Sequence, residues 1–352
     1  MTRNVRKLRS KQFPKLLTSL ADVDVQGRYR ITLGEENWLL HDSGSDDEDR
    51  VLIFAAPSSL PKLGSSKHWL ADGTFETCPN IFYQIYTIHA EIHGIIHPLL
   101  FALLPGKSEE IYVKMLYALL ENMEALGIET DVTEVSIDFE VATRNAFLPA
   151  LGDVTVHFCF FHFCQTTWRK IQQLGLVTHY NNDTDFSLFC RKVNALAFLL
   201  IDGVPRGMQC LKQEVPENAL PFIEYIDNTF VNGMQRRNGR RSKPLFSVHG
   251  WNVYELTIAG NARTINSVEA WHRRFGVLVR SHSNLYNVLD ALRRAEKIVK
   301  TRISQLIVGA NPKKPNTKVA RREQRIYNVV ADYQNRLLED YLRSIAHNLS
   351  SF

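Results

Sequence analysis

The order of apolar and polar positions predicts a strand-rich first half of the chain. Short runs of alternating or β-branched apolar residues, each closed by a turn signal, are typical of β-strands. The runs are Arg28–Thr32, Trp38–His41, Val51–Ala55, His68–Phe75, Phe82–Ile92, Ile95–Leu104, Glu134–Phe139 and Val154–Phe158. His93-Gly94 separates two of these runs and predicts a hairpin between them.

Apolar residues at three- and four-residue steps predict helices between the later strands and through most of the second half. After Gly175 the strand signals mostly stop. The predicted helices are Ser108–Leu126, Val141–Leu148, His162–Leu174, Phe186–Leu200, Pro205–Gln213, Leu220–Phe230, Asn266–Val279, Asn284–Leu306 and one amphipathic helix that includes Ile326 and Ile345. Ser108 is the expected N-cap of the first, because two glutamates follow it.

From residue 68 the element order β-β-β-α-β-α-β-α predicts a three-stranded antiparallel start that α/β crossovers continue. We therefore expect an α/β fold in which helices flank a mixed sheet and an all-helical insertion interrupts it. The expected segments are a basic arm with a small β-rich region at 1–65, the first part of the core at 66–174, a helical insertion at 175–255, closing core helices at 256–308, and a basic linker with a C-terminal amphipathic helix at 309–352.

Charge is unevenly distributed along a chain whose composition is otherwise ordinary. The net charge of the 352 residues is only +5, with 45% hydrophobic and 22% charged residues. Residues 1–19 carry six basic and no acidic side chains, residues 231–243 carry five and none, and residues 291–325 carry eleven against two. The rest of the chain is net negative. Such segregation suits either a polyanion-binding surface on an acidic body or solvated helix faces and tails.

Several protein classes are excluded by the sequence. No apolar run approaches the roughly 18–20 residues that span a bilayer, and Ile95–Leu104 is interrupted by His97 and Pro98. The first residues have no apolar segment behind their positive charges, unlike a secretory signal. Five thinly spread cysteines suit a reducing compartment. We therefore expect a soluble intracellular protein with no membrane partner.

Two aspartates stand at the ends of predicted strands. Asp72 follows Trp-Leu-Ala, and Asp138 follows Val-Ser-Ile. Neighbouring strands lie about 4.8 Å apart, so two such carboxylates could share a metal ion. Mg²⁺ is typically held by one or two carboxylates together with waters and substrate phosphates. The alternative is that each aspartate only caps a turn or a helix.

Six short motifs, occurring in a fixed order, carry a family resemblance. They are Ala71-Asp-Gly-Thr-Phe75, Gln84-Ile-Tyr-Thr-Ile-His89, Ile137-Asp-Phe-Glu140, Cys159-Phe-Phe-His-Phe-Cys-Gln165 with Arg169-Lys170, Trp251-Asn252, and Arg263-Thr-Ile-Asn-Ser-Val-Glu-Ala-Trp-His272. With these motifs the chain resembles the transposases of Mutator-like elements (MULE), which are DDE-type enzymes with an RNase H-like core. The resemblance covers about residues 68–300.

The resemblance implies a catalytic and metal-binding triad of Asp72, Asp138 and Glu269, holding two Mg²⁺ or Mn²⁺ ions. Glu140 is a rival third carboxylate, because it follows Asp138 by two residues. On a helix start, Glu140 could instead stabilise the helix dipole. The corresponding alternative for Glu269 is an ion pair on a solvated helix.

The resemblance also places Cys159, His162, Asn266 and His272 near the active site. Where the family usually has two consecutive asparagines, this chain has Ile265 and Asn266. A zinc site made from Cys159, His162 and their neighbours is an alternative, but ligands so close in sequence converge poorly on one ion.

The implied activity is DNA strand cleavage followed by strand transfer, with double-stranded DNA at element ends and targets as the partner. A nuclear location and a homo-oligomer are compatible with it. The expected DNA-binding residues are Arg236, Arg237, Arg240, Arg241, Lys243, Arg273 and Arg274. The alternatives are a transposase-derived DNA-binding or regulatory protein without catalysis, and an RNase H-like nuclease that acts on RNA.

Overall fold

The computed structural model describes residues 17–279, 283–310 and 317–349. The chain forms two compact units, one made of Met1–Val156 with Ile265–Pro312 and the other of His157–Thr264 with Lys313–Phe352. Most of the predicted basic arm lies outside the described residues. The five-segment division of the chain stays a prediction.

A seven-stranded mixed sheet organises the first unit, as the sequence predicted. Its strands are β1 Leu39–Asp42, β2 Leu52–Phe54, β3 His68–Thr74, β4 Gln84–Ile92, β5 Ile95–Leu104, β6 Glu134–Ile137 and β7 Thr155–Phe158. Their order in the sheet is β1-β2-β5-β4-β3-β6-β7. Strands β3, β4 and β5 pair antiparallel, and β6 pairs parallel to β3, so the predicted antiparallel start and its crossover are confirmed.

Helices occupy most of the remaining described chain. They are α1 Leu60–Gly64, α2 Glu109–Ala125, α3 Val141–Leu151, α4 Phe160–Gln173, α5 Val177–Asn182, α6 Thr184–Ala195, α7 Val204–Gln213, α8 Leu220–Ile226, α9 Val248–Trp251, α10 Tyr254–Ala259, α11 Asn266–Leu278, α12 Leu285–Ile307, α13 Thr317–Ala331 and α14 Leu338–Asn348. The Ser108 hydroxyl accepts a hydrogen bond from the Ile111 amide, which confirms the predicted cap of α2.

Side-chain alternation in β4 explains why helices pack on both faces of the sheet. Tyr86 points to one face, where its ring lies 5.2 Å from that of Tyr112 on α2. Thr87 pairs with Phe101 and points to the other face. On that face the Phe101 ring lies 5.5 Å from Trp271 of α11, within a core that α12 completes.

The strand predicted at Arg28–Thr32 is wrong. Gly27–Arg30 forms a 3₁₀ helix instead, and Ile31 makes only an isolated bridge to Asn37. The Thr32 hydroxyl accepts hydrogen bonds from the amides of Gly34 and Glu36, so it bends the chain where a strand would have to continue.

The second unit is mainly helical and has an aromatic core. The Trp251 ring stacks on Phe163 at 4.9 Å and 3°, and its indole nitrogen donates to the Phe230 carbonyl. Between residues 175 and 255 the regular secondary structure is helical, apart from a short hairpin bridged between Gln235 and Arg241.

The single C-terminal amphipathic helix predicted around Ile326–Ile345 is wrong. The chain forms α13 and α14 instead, separated by a 3₁₀ turn at Tyr333–Asn335. The Asp332 carboxylate accepts hydrogen bonds from the side chains of Asn335 and Arg336, which favours the turn over a continued helix.

Candidate active site

The register of two parallel strands brings Asp72 and Asp138 to the same edge of the sheet. His68 pairs with Glu134 and Leu70 with Ser136, an offset of 66 positions that also separates Asp72 from Asp138. Asp138 directly follows β6, so the same register, continued two residues beyond its last pair, would set the two aspartates side by side. Neighbouring strands lie about 4.8 Å apart, and the sharing of one ion by the two carboxylates stays a prediction.

A close backbone approach explains the glycine that follows Asp72. A Cβ atom at Gly73 would lie 2.0 Å from the side-chain oxygen of Gln84. That side chain is buried and is held by hydrogen bonds to the Gly106 carbonyl and the Tyr112 hydroxyl. A larger residue at position 73 would therefore displace the strand end that carries Asp72.

The Asp72 carboxylate has a partner on α11. His272 Nδ1 lies 3.4 Å from Asp72 Oδ2, and the Gly73 amide donates to Oδ1 at 2.9 Å. The Asp72 side chain is 17% exposed and that of His272 is 9% exposed. Each oxygen of the carboxylate thus has a contact that orients it, and the carboxylate is still open to solvent.

Glu269 lies on the same helix as His272, three residues earlier. Residues three apart are neighbours on a helix surface, and α11 packs against β3. Glu269 is half-buried. The place of Glu269 in the metal-binding triad stays a prediction.

Glu140 is occupied by hydrogen bonds from two other elements. Its Oε2 accepts from the Tyr112 hydroxyl and the Thr143 hydroxyl, both at 3.0 Å. Glu140 is also the residue that precedes α3. These contacts support a structural role for Glu140, the rival third carboxylate.

The donor set suits a hard divalent cation. Asp72 and Asp138 offer carboxylate oxygens, and Mg²⁺ is commonly held by one or two carboxylates with waters and substrate phosphates. Within residues 17–279, 283–310 and 317–349, no three His, Cys, Asp or Glu side chains are grouped as they would be around a bound metal ion. Asp72 and Asp138 thus have the donor chemistry of a magnesium or manganese site, and their sharing of an ion stays a prediction.

The other residues expected near the site lie on α11 and in the second unit. Asn266 is exposed in the first turn of α11. Cys159 and His162 belong to the second unit, where Cys159 is buried immediately before α4. The Phe160 amide there donates to the Arg263 carbonyl.

Two further motifs have structural contacts inside the second unit. The Asn252 side chain donates to the Leu199 carbonyl and accepts from the Tyr254 amide. The Arg263 guanidinium lies 5.1 Å from the Phe198 ring and is ion-paired with Glu323, and burial lowers its pKa to about 10. These motifs hold the unit together.

The expected DNA-binding arginines lie in two places. Arg273 and Arg274 are exposed on α11, and Arg273 lines a cleft of about 380 Å³ together with Thr74, Glu76 and His272. The remaining cations lie in the second unit, on the hairpin around residues 234–242.

The hairpin tip is a tight turn. The Gly239 amide donates to the Arg236 carbonyl, and the Arg236 amide donates to the Arg240 carbonyl. Gly239 has a φ of +77°, which favours glycine. This geometry leaves Arg236, Arg237 and Arg240 exposed at the tip, with Lys243 exposed farther along the chain.

A buried carboxylate anchors the base of this hairpin. The Asp227 side chain is 3% exposed and contacts Lys212 at 2.7 Å and Arg241 at 3.0 Å. Burial alone would raise the pKa of Asp227, but hydrogen bonds from Lys212 and Asn232 and the charge of Lys212 keep it below its ordinary value. Arg241 is therefore engaged by Asp227, unlike the arginines at the tip.

Sequence reasoning assigned only a structural role to His89 and gave none to Thr87. The Thr87 hydroxyl lies 3.0 Å from His272 Nε2 and 3.0 Å from His89 Nε2. The sequence feature that could have indicated a role is that Thr87 and His89 are polar, two positions apart, in a mainly apolar strand. The facing partner on α11 is far away in sequence and could not be inferred.

Comparison with known proteins finds a family match for the segment that contains Asp72 and Asp138. A family model, the MULE transposase domain, matches residues 68–166, a segment that includes Asp72 and Asp138 and ends before Glu269. Comparison with curated proteins finds no match. No helix in the described part of the chain is both long and apolar enough to cross a membrane. The family consists of DDE transposases, which act on DNA and generally use divalent metal ions. Over residues 68–166 this chain is therefore similar to the MULE transposase domain.

Proposed function

We propose that this protein cleaves DNA strands and joins the freed ends to target DNA, using divalent metal ions held by Asp72, Asp138 and Glu269. The observation that carries the proposal is the parallel pairing of β3 with β6 within the matched segment, because Asp72 lies near the end of β3 and Asp138 directly follows β6. The position of Glu269 on the helix that contacts Asp72 through His272 supports its inclusion.

The chain's own groups would bind and orient the reacting phosphate. Mg²⁺ or Mn²⁺, when bound, supplies activation of the attacking oxygen and stabilisation of the leaving oxygen. Asp72 and Asp138 provide negatively charged oxygen ligands from the edge of a rigid sheet. The Gly73 amide and His272 hold the Asp72 carboxylate in one orientation. Arg273, in the adjoining cleft, supplies positive charge for a neighbouring DNA phosphate.

The hairpin of the second unit supplies further cations for DNA. Arg236, Arg237 and Arg240 are exposed at its tip and carry no nearby acidic residue in sequence. Phosphate contacts by arginine contribute binding that does not depend on base sequence and weakens steeply with salt. A DNA substrate and the basic run that ends at Lys243 also support a nuclear location.

The proposal is tested by incubating the purified full chain with supercoiled plasmid and Mn²⁺. We expect nicked circles and then linear DNA, with no product when EDTA replaces the metal. Equal products with and without EDTA would contradict metal-dependent cleavage.

The second candidate is a DNA-binding or regulatory protein without catalysis. The observation in its favour is that the hairpin arginines belong to a different unit from Asp72 and Asp138, so DNA binding does not require those acids. Retarded plasmid migration without any nicking, in either Mg²⁺ or Mn²⁺, would support this candidate.

A further inference from the structure

A series of buried polar side chains connects the interior of the first unit with the Asp72 carboxylate. Asp72 pairs with Thr87 across β3 and β4, and Leu70 pairs with His89, so Thr87 and His89 share the face of Asp72. Both Thr87 and His89 are fully buried, and His272 is 9% exposed. Three polar side chains thus line up under a solvent-accessible carboxylate.

The distances between their polar atoms show how these side chains are connected. His89 Nε2 lies 3.0 Å from the Thr87 hydroxyl, which lies 3.0 Å from His272 Nε2. His272 Nδ1 in turn lies 3.4 Å from Asp72 Oδ2. The Thr87 hydroxyl also lies 3.3 Å from the Asp72 carbonyl, a longer contact than the one to His272.

A count of hydrogen-bond donors and acceptors indicates which atom donates in each of these contacts. Burial, the main cause, lowers the pKa of His89 well below its ordinary value, so His89 is neutral. His89 Nδ1 is buried without a hydrogen-bond partner among the described residues, which favours the proton on Nε2. The Thr87 oxygen then accepts from His89, and its single proton has two acceptors in reach, His272 Nε2 at 3.0 Å and the Asp72 carbonyl at 3.3 Å. Donation over the shorter distance leaves the His272 proton on Nδ1, facing Asp72.

We propose that His272, with its tautomer set by Thr87 and His89, is a positioning residue that orients the Asp72 carboxylate for metal binding. The inference rests on the proposed function of Asp72 as a metal ligand. Ligating carboxylates are commonly oriented by hydrogen bonds from groups behind them, and loss of such partners costs about 10–100-fold in metal affinity or activity. Thr87 and His89 would act on the metal only through His272.

The test is Mn²⁺ affinity, measured by the electron paramagnetic resonance signal of free Mn²⁺ during titration of the full chain. Thr87→Val keeps the side-chain shape and removes the hydroxyl, so it should weaken Mn²⁺ binding about 10–100-fold. Thr87→Ser restores the hydroxyl and should recover most of the affinity. Thr257→Val is the matched control, because the hydroxyl of this buried threonine donates to the Val253 carbonyl, just before α10 of the second unit.

A second pair of variants covers the case in which Thr87→Val does not fold. His272→Ala removes the imidazole that contacts Asp72 and should weaken Mn²⁺ binding by a similar factor. His272→Asn keeps an amide nitrogen near the place of Nδ1 and should bind Mn²⁺ more tightly than His272→Ala. A merely structural role would lower the melting temperature of these variants without this ordering of affinities.

The possible outcomes separate this inference from the proposed function. Wild-type affinity in both Thr87→Val and His272→Ala, with binding lost in Asp138→Asn, would overturn the positioning role and leave the metal site standing. Mn²⁺ binding that Asp138→Asn does not weaken would overturn the proposed metal site itself.

Discussion

Neighbouring carboxyl groups of the first unit have very different partners. Glu140 is held by two hydroxyl groups, whereas Glu269 lies one helical turn from the histidine that contacts Asp72. Asp72 and Asp138 could be selected from the sequence because apolar strands lead directly into them. The choice between Glu140 and Glu269 could not be made in this way, because it depends on Tyr112, which belongs to a different element.

Paired substitutions test which glutamate takes part in the chemistry. Glu269→Gln should lower the rate of metal-dependent plasmid nicking on the order of 100-fold, as when one charge-stabilising group is removed from an active site. Glu140→Gln should lower it less than about 10-fold and instead destabilise the fold by about 1 kcal/mol, through weakened hydrogen bonds. The reverse order of the two nicking rates would assign the third ligand to Glu140.

Glu296 on α12 predicts a pH effect on stability. Its two oxygens are buried without hydrogen-bond partners among the described residues, and burial raises its pKa, partly offset by Lys300. Between the unfolded pKa near 4.5 and the raised folded value, the folded state binds more protons, so stability falls as pH rises through that window.

Glu296→Gln should remove this penalty. We expect the variant to be more stable than wild type at pH 8, on the order of 1 kcal/mol, with the difference vanishing at pH 4. Urea unfolding midpoints at the two pH values measure it. A variant less stable than wild type at pH 8 would show that ionised Glu296 contributes favourable contacts.

At the scale of elements, local sequence predicted the sheet better than the turns. The hairpin at β4 and β5 follows from its alternating apolar residues and His93-Gly94, and the structure agrees. For the hairpin around residues 234–242 the sequence indicated only a basic window at 231–243. Its geometry depends on Gly239 and on Asp227, which anchors Arg241 from a π-helical turn at Asp227–Val231.

The hairpin tip should account for part of the salt dependence of DNA binding. Replacing Arg236, Arg237 and Arg240 with alanine should weaken binding and reduce the slope of log affinity against log salt by about one per lost phosphate contact. Fluorescence anisotropy with duplex DNA across salt concentrations measures the slope. Arg206→Ala, an exposed arginine elsewhere in the second unit, is the control. An unchanged slope in the triple variant would show that the tip does not contact DNA.

Asp227 should matter for stability and for presentation of the hairpin. Asp227→Asn removes the charge that pairs with Lys212 and Arg241, and should cost about 1.5–3 kcal/mol, the range for hydrogen bonds to charged groups. The cost should shrink as pH falls through the lowered pKa of Asp227, because wild type then loses the same charge. Equal unfolding midpoints at pH 7 would contradict the anchoring role.

At the scale of the whole molecule, the contacts of the basic residues show which of them are already engaged within the protein. The basic window 291–325 suggested a polyanion-binding surface, yet Arg293 is buried against the Ile31 carbonyl and Lys300 is ion-paired with Glu36. Other cations of that window are exposed, as are the five cations of the window 231–243. The order of strands and helices was sufficient to predict the α/β sheet, whereas the use of each cation depended on distant residues that meet only in the fold.

The central claim is that Asp72 and Asp138 form a metal-dependent DNA-cleaving site. Its most direct test compares wild type with Asp138→Asn in Mn²⁺-dependent plasmid nicking, with duplex DNA affinity measured on the same preparations. The account predicts that nicking is abolished while DNA affinity stays within about twofold, because the hairpin arginines are untouched. Wild-type nicking by folded Asp138→Asn protein would contradict it.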